Sequence, residues 1–164
     1  MNLHSFTEYL KYKWHAMGRH GTHSPFVYAL VEDVIQGRAS LPPAVIAPLP
    51  GTAYAPLLQR IASFYGYSTM LQLPADGTTG RYDVLVLPAL PCSPAVPLLQ
   101  LWPLLQENGM LVVPGIHRNA AATQQWQTIC AYPGVMMSID MYGIGLIFSR
   151  TQFKVKQHFV LKAK

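Results

Sequence analysis

Apolar residues recur at helical spacing near the beginning of the chain. They form one face of a predicted helix at Leu3, Phe6, Leu10, Trp14 and Met17. Ser5 and Glu8 have the spacing of a capping box, which predicts the start of this helix. Gly18 and Gly21 interrupt the pattern and indicate a turn before the next element.

A second helical pattern follows the pair Ser24-Pro25. Serine suits an N-cap, and proline suits the first helical position because its missing N–H leaves no donor unsatisfied there. The next apolar positions lie four residues apart, at Phe26, Leu30 and Val34. Gly37 is placed to end this helix in a left-handed conformation. The two patterns together predict a helical arm over residues 1–38, with 39–164 as one compact unit.

Strand and helix patterns alternate through the rest of the chain. The predicted helices are 54–64, 94–106 and 119–130, and the predicted strands are 70–73, 84–87, 110–113, 135–142 and 145–150. The last two strands are joined near Gly143 and predict a C-terminal antiparallel hairpin. This order indicates an α/β domain with a sheet of about five short strands and flanking helices.

The end of the chain alternates with period two, which is typical of a strand. One face is mostly apolar, at Phe153, Val155, Gln157, Phe159 and Leu161; the other is mostly basic, at Lys154, Lys156, His158, Val160 and Lys162. Lysines on a solvated strand discourage edge-to-edge pairing. This strand and the net charge of +5 also leave a basic nucleic-acid-binding module as a third, weaker hypothesis.

Composition narrows the class of protein. A hydrophobic fraction of 51% with only 12% charged residues argues against disorder and suggests that a partner covers part of the surface. No apolar run reaches the ~18 residues of a membrane span, so we expect no membrane partner. Cys92 and Cys130 have neither metal nor disulfide spacing, and a cytoplasmic location is therefore predicted.

His20 and His23, three residues apart between the predicted helices, raise the question of a metal site. No acid or cysteine lies near them in the sequence to complete a set of ligands. Capping and packing explain this segment better, and we predict no metal.

Three segments resemble one protein family. RHGTHSPFVYALVEDVI (19–35) matches an HG-x-HSPF sequence before a helix, YDVLVL (82–87) is similar to an inner strand, and the run from LVVPGIH (111–117) to QHF (157–159) is similar to a C-terminal third. The chain resembles class I S-adenosylmethionine-dependent methyltransferases that carry an N-terminal helical arm. The resemblance implies a reduced Rossmann-like sheet.

The family's cofactor residues do not carry over. Where the resemblance implies an acid and the first glycine of the cofactor loop, this chain has Gln72 and Pro74. Proline fixes φ and removes an N–H at a point where the backbone must approach the cofactor. The family's next acidic motif falls on residues 88–91, and its paired acids fall on Pro114 and Gly115. A loss of cofactor binding is therefore expected.

The segment between the first two retained strands is also short. Only residues 74–81 remain, although a crossover between parallel strands usually needs a dozen or more. An extended loop of this length could just return along a short strand, so parallel and antiparallel pairing both stay open. Two further strands of the family have no place here.

The functional hypothesis is a degenerate, non-catalytic methyltransferase-like domain that acts as an interaction or structural module. We expect it to bind no cofactor and to have no catalytic residues. The alternative is an active methyltransferase with an atypical or partner-completed site for S-adenosylmethionine. Its weak cofactor-binding candidates are Asp76, Gly77, Asp83 and His117. Asp140 is a further polar candidate, although capping of the hairpin turn explains it better.

The predicted arm is the expected contact surface. Two amphipathic helices cannot bury both apolar faces against each other, so the arm should pack on the α/β body or on a second copy. The residues expected in that contact are Phe6, Leu10, Trp14, Phe26, Leu30 and Val34. A homodimer or another protein partner follows as a prediction, and nucleic acid is not an expected partner.

Overall fold

The computed structural model describes residues 3–15, 24–44, 53–75, 79–92 and 98–162. The helices are α1 (Leu3–His15), α2 (Pro25–Ala29), α3 (Ala55–Tyr65), α4 (Leu98–Leu101) and α5 (Ala120–Ala131). A π-helical segment, Leu30–Ile35, continues α2, and a 3-10 turn, Trp102–Leu104, follows α4. The strands are β1 (Met70–Gln72), β2 (Tyr82–Val86), β3 (Leu105–Pro114), β4 (Met137–Asp140), β5 (Ile144–Phe148) and β6 (Gln157–Val160).

The strands form one mixed sheet in the order β1-β2-β3-β5-β4-β6. β1, β2 and β3 are parallel, β5 runs antiparallel to both β3 and β4, and β6 is parallel to β4. The predicted α/β class and the C-terminal antiparallel hairpin are confirmed. The described sheet has six strands instead of about five, because residues 157–160 pair with β4.

The pairing of β1 with β2, which the sequence left open, is parallel. Met70 pairs with Val84 and Gln72 with Val86, so the ladder is only three residues long. A chain rising about 3.3 Å per residue needs few residues to return along so short a strand. The brevity of β1 therefore makes a parallel crossover possible within residues 73–81.

The predicted helix over 94–106 is wrong at its end. α4 stops at Leu101, the 3-10 turn contains Pro103, and β3 already begins at Leu105. Leu105 is buried and pairs with Tyr82, a contact that local periodicity cannot reveal. Asn108 and Gly109, which precede the predicted strand 110–113, lie inside β3 at an irregularity, with Asn108 in the left-handed region at φ 69°.

The predicted helix caps have mixed outcomes. Gly37 is left-handed at φ 72°, as expected. Ser24 has the extended N-cap conformation ahead of Pro25, but its side chain donates and accepts no capping hydrogen bond. The capping box at Ser5 is wrong because α1 begins at Leu3, and Glu8 accepts a hydrogen bond from Lys11 instead.

The sheet is buried on both faces, which explains its continuous apolar strands. Alternate residues of each strand point to opposite layers. One face, including Val84 and Val112, packs under α2, its π-helical continuation and α3. The other face, including Leu85 and Leu111, packs under α4 and α5.

The two N-terminal helices pack differently. Leu30 and Val34 are fully buried and Phe26 is partly buried in the core, as predicted. Phe6 and Leu10 do not pack on the body, because each is 45% exposed, and their expected contact with a second copy stays a prediction. The side chains of Leu3, Ser5 and Trp14 lie outside the described residues, as do Met17, Gly18, His20, Gly21 and His23.

The C-terminal strand keeps only part of the predicted alternation. Leu161 is buried and Phe159 packs against the core, whereas Val155 is 70% exposed. Phe153 also packs against the core, so the predicted apolar face is interrupted at Val155. Lys156 is not simply solvated, because its Nζ donates to the last carbonyls of α5, those of Cys130, Ala131 and Tyr132.

Candidate functional site

Polar side chains collect at the edge where β3 and β4 both end. Ligands of open α/β sheets bind outside the carboxyl ends of the parallel strands, so this edge is the first place to search. His117 follows β3 after the left-handed Gly115, and Asp140 is the last residue of β4. β5 lies between these two strands in the sheet. The chain thus brings together one sequence candidate, His117, and the polar residue Asp140.

A buried His–Asp pair forms the centre of the site. Nε2 of His117 lies 2.6 Å from Oδ2 of Asp140, and Nδ1 lies 3.2 Å from Oγ1 of Thr123. Thr123 stands one turn inside α5, which Asn119 caps by accepting a hydrogen bond from the amide of Ala122 at 2.9 Å. Both ring nitrogens of His117 are therefore engaged by the protein.

The turn after β4 closes one side of this pair. Oδ1 of Asp140 accepts a hydrogen bond from the amide of Tyr142 at 2.8 Å, which confirms the turn-capping interpretation. The ring of Tyr142 stacks on the imidazole of His117 with centroids 5.7 Å apart. Asp140 thus performs two tasks, holding the turn with one oxygen and the histidine with the other.

The helix α1 closes another side. Oε2 of Glu8 lies 3.9 Å from Nδ1 of His117. Tyr9 and Tyr12 pack against Tyr142 at centroid distances of 5.2 and 5.5 Å. The hydroxyl of Tyr12 donates to the carbonyl of Leu161 at 2.6 Å. α1 therefore contacts the sheet through its polar and aromatic side.

A pocket of about 340 Å³ opens beside the pair, between α5 and the end of the sheet. Its lining residues are Glu8, His117, Thr123, Trp126, Gln127, Cys130, Asp140 and His158. Burial raises the pKa of the Cys130 thiol to about 12, which keeps it protonated and unreactive. His158 bonds Ser138 through Nδ1 at 2.8 Å. Desolvation lowers the pKa of His158, the Asp140 charge raises it, and nearby His117 lowers it.

The described contacts show how the polar groups of this site are engaged. The Thr123 hydroxyl lines the pocket, and its oxygen lies 3.2 Å from both the carbonyl oxygen of Asn119 and Nδ1 of His117. Within the described ranges, no group of three or more His, Cys, Asp or Glu side chains is arranged to hold a metal ion. His117 is instead held in place by Thr123 on one side and Asp140 on the other.

The remaining cofactor candidates do not join this site. Asp76 and Gly77 lie outside the described residues. Asp83 is near the beginning of β2, at the opposite edge of the sheet, where it accepts hydrogen bonds from the amides of Ser68 and Thr69, both at 2.9 Å. Partial burial by itself raises the pKa of Asp83, but these bonds, with those from both hydroxyls, lower it below its usual value. The carboxylate ties the start of β1 to β2.

The space beyond the ends of β2 and β3 holds apolar chain. The amide of Leu87 donates to Val112 and that of Leu90 donates to Pro114, each at 2.9 Å. Leu90 is fully buried. A Cβ added at Gly115 would lie 3.0 Å from the Leu90 carbonyl oxygen, which shows how closely this segment approaches β3.

Several site residues were missed at the sequence level. The sequence predicts Glu8 in a helix cap and His158 on a basic strand face. It predicts no site role for Thr123 or Tyr142. Glu8 and His117 are far apart in sequence, so no spacing signal connects them. His158 sits beside Ser138 only because β6 pairs with β4, and strand pairing was not predicted at that edge.

Comparison of the chain with family models, curated proteins and solved structures finds no match in any of the three. The methyltransferase resemblance therefore depends on the quoted segments and stays a hypothesis. Among the helices in the described ranges, none combines the length and apolar character required to cross a bilayer.

Proposed function

We propose that this chain is a methyltransferase-like domain that does not bind S-adenosylmethionine and serves as an interaction module. The observation that carries the proposal is the apolar segment 87–90 at the ends of β2 and β3. Leu90 fills space at the edge where ligands of open sheets bind, and its amide is already bonded to Pro114. The residues present do not fit the cofactor there.

The energetic requirement supports the same proposal. Micromolar binding of a ligand needs about 8 kcal/mol, which polar contacts to the cofactor must help to supply. Each lost hydrogen bond to a charged group removes on the order of 1.5–3 kcal/mol. At the end of β2 this chain has Leu87, Pro88 and Leu90 in place of acidic side chains, and Asp83 is engaged at the other edge.

Calorimetric titration with S-adenosylmethionine and S-adenosylhomocysteine tests this loss. We expect no saturable heat up to about 1 mM ligand, which corresponds to a binding free energy of only about 4 kcal/mol. A dissociation constant at or below tens of micromolar would contradict the proposal and favour the active methyltransferase. In that case His117→Gln, compared with Asp83→Ala, would show which edge of the sheet holds the ligand.

The interaction half of the proposal is supported by the outward side of α1. Phe6 and Leu10 are each 45% exposed and lie four residues apart, which makes them neighbours on one helix face. A second copy of the chain is the partner that the predicted arm favours. We expect sedimentation equilibrium at micromolar concentration to detect a dimer.

The variants that test this surface are matched in chemistry. Phe6→Ser combined with Leu10→Ser should dissociate the dimer. Leu99→Ser provides the control, because Leu99 is 75% exposed on α4 and lies outside the proposed contact. A monomer for the unmodified chain, or equal dissociation by all variants, argues against self-association through α1.

A further inference from the structure

A second pocket, of about 480 Å³, lies at the edge of the sheet where β2 and β3 begin, opposite to the His117–Asp140 pair. It is framed by α4 and the 3-10 turn after it, by the end of α5 and by the segment that follows β5. Apolar side chains make up most of its lining: Leu99, Trp102, Pro103, Leu105 and Tyr132.

Trp102 and Tyr132 supply the aromatic part of this pocket, and the fold holds them in place. Their ring centroids lie 6.2 Å apart. A Cβ added at Gly134 would lie 2.9 Å from Cε1 of Tyr132, so the turn after α5 packs closely against this ring. Nζ of Lys156 donates to the carbonyl of Tyr132 at 2.9 Å. Both rings are only partly buried, and Leu99 is 75% exposed, so the pocket presents a preformed apolar surface to solvent.

Positive charge predominates around this surface. Arg81 lines the pocket, is exposed, and pairs with no carboxylate among the described residues. Nζ of Lys154 donates to the carbonyl of Thr151 at 3.1 Å, and Lys156 likewise bonds only main-chain carbonyls. The carboxylate of Glu107 accepts a hydrogen bond from the Thr151 hydroxyl at 2.8 Å. Three cations therefore accompany a single carboxylate around the apolar lining.

We infer that this pocket is a docking site for an acidic segment of another protein, which inserts an aromatic or large aliphatic side chain beside Trp102. The inserted side chain covers the exposed apolar lining, and the carboxylates that flank it face Arg81 and the two lysines. The inference rests on the interaction role proposed above, but it concerns a second surface and does not require a dimer through α1.

A second copy of the chain does not supply such a segment. The chain has seven acidic residues, and the only adjacent pair is Glu32-Asp33. This pair lies in the π-helical segment, where Glu32 is 5% exposed and forms an ion pair with Arg38. The partner is therefore a different protein.

Single-stranded nucleic acid is the competing class of ligand, because it also uses aromatic rings and cations. The carboxylate of Glu107 lines the pocket and repels phosphates, which recur at every nucleotide. The rings of Trp102 and Tyr132 are inclined to each other by 53° and do not offer parallel faces for successive bases. A peptide can place an uncharged side chain in the pocket and its carboxylates outside, so the contacts favour a peptide.

Selection of short random peptides, displayed on phage, against the immobilised full chain tests the inference. We expect the enriched peptides to share an aromatic or large aliphatic residue with Asp or Glu on both sides. A fluorescently labelled copy of the most enriched peptide should bind the chain in solution, and oligouridine should not displace it. No enrichment, enrichment of peptides without acidic residues, or displacement by oligouridine overturns the inference.

Fluorescence anisotropy titrations of variants locate the bound peptide. Leu99→Ser should raise the Kd about tenfold, since an apolar side chain covered on binding is lost, whereas Leu10→Ser on α1 should leave it unchanged. Arg81→Gln should raise the Kd about two- to fivefold. Arg118→Gln, exposed at the opposite edge of the sheet, is its matched control and should have no effect.

The substituted residues are all exposed, so these variants are expected to keep the fold. Equal effects of a variant and its control, or unchanged binding in Leu99→Ser and Arg81→Gln, overturn the docking site. Sedimentation of the same proteins separates this outcome from the α1 proposal, because Leu99→Ser should release the peptide without changing the oligomeric state.

Discussion

Gly145 of β5 lies beneath the indole ring of Trp126. A Cβ at this position would stand 2.5 Å from Cη2 of the tryptophan, and Trp126 is only 2% exposed. Gly145→Ala should therefore lower the free energy of unfolding by about 1–3 kcal/mol, because the ring has to shift inside a packed layer. Urea denaturation followed by circular dichroism measures this change.

Gly66 offers the comparison for the same substitution. It caps α3 at φ 70°, but nothing lies within 4 Å of an added Cβ. Gly66→Ala should lower the free energy of unfolding only by the strain of placing alanine in the left-handed conformation, on the order of 1 kcal/mol. If Gly66→Ala were as damaging as Gly145→Ala or worse, the steric explanation for Gly145 would fail.

His158 should make the stability of the domain depend on pH. Its pKa in the folded chain is lowered below its ordinary value of 6.5, chiefly by desolvation. The unfolded chain therefore takes up this proton at a higher pH than the folded chain does. The contribution of His158 is complete above 6.5 and is lost as the pH falls through the window just below it.

The difference between the unmodified chain and His158→Gln isolates this effect. We expect the free energy of unfolding to fall less steeply in the variant between about pH 7 and about pH 5. Glutamine can still bond Ser138 but does not titrate. Identical pH profiles for the two proteins would contradict the lowered pKa.

At the residue scale, the sequence revealed the roles that depend on near neighbours. Asp140 was assigned to a turn because its partner, Tyr142, is two residues away. Its bond to His117 joins the ends of two strands that β5 separates in the sheet. Such a contact depends on the tertiary fold, and spacing along the chain cannot predict it.

Among the elements, α5 depends on a lysine from a distant segment. Nζ of Lys156 bonds the carbonyls of Cys130, Ala131 and Tyr132 at 3.0, 3.1 and 2.9 Å. A cation at a helix C-terminus contributes about 0.3–1 kcal/mol. Lys156→Met should lower the free energy of unfolding by that amount, measured in urea.

Lys154→Met serves as the control for this change. Lys154 is exposed, and its Nζ donates to the carbonyl of Thr151, only three residues away, instead of to α5. Lys154→Met should change the free energy of unfolding by no more than about 0.5 kcal/mol. Raised salt should reduce the difference between the two variants, since it screens the charge at the helix end.

At the element scale, helices and strands were predicted accurately where residues close together in the sequence determine them. The helix predicted at 119–130 is observed at Ala120–Ala131, because Asn119 caps it and the apolar period continues inside it. α1 was predicted in nearly the right place, but the side of it that packs on the body is not the apolar one. Tyr9 and Tyr12 face the body in place of Phe6 and Leu10, since aromatic contacts to Tyr142 are available there.

For the whole molecule, the π-helical segment after α2 is part of the main core. Leu30 is fully buried among residues of the sheet and α3. Leu30→Ala should therefore lower the free energy of unfolding by about 2–5 kcal/mol. Phe6→Ala, on the half-exposed face of α1, should change it by about 0.5 kcal/mol or less.

Urea denaturation of both variants compares the two N-terminal helices directly. Equal effects of the two substitutions would contradict the difference in burial. The boundary predicted at residue 38 is not tested by the structure. A large effect of Leu30→Ala would show that residues before this boundary stabilise the compact unit that follows it.

At this scale, the alternation of helix and strand was enough to predict an α/β sheet. The strand order was not predictable, because β5 inserts between β3 and β4, and β6 adds beyond β4. The strand order depends on which faces of the strands and helices pack together in the fold. The parallel pairing of β1 with β2 was likewise not predictable, although the shortness of β1 makes it possible.

The bond from Tyr12 to Leu161 joins residues 149 positions apart. During synthesis at about 5–20 residues per second, roughly 7–30 seconds separate the emergence of these two residues from the ribosome. Leu161 is absent for all of that time and Tyr142 for most of it, so α1 lacks these contacts until late in synthesis. The nascent chain therefore carries an undocked amphipathic helix until most of the sheet has been made, and chaperones that recognise such helices have that interval in which to bind it.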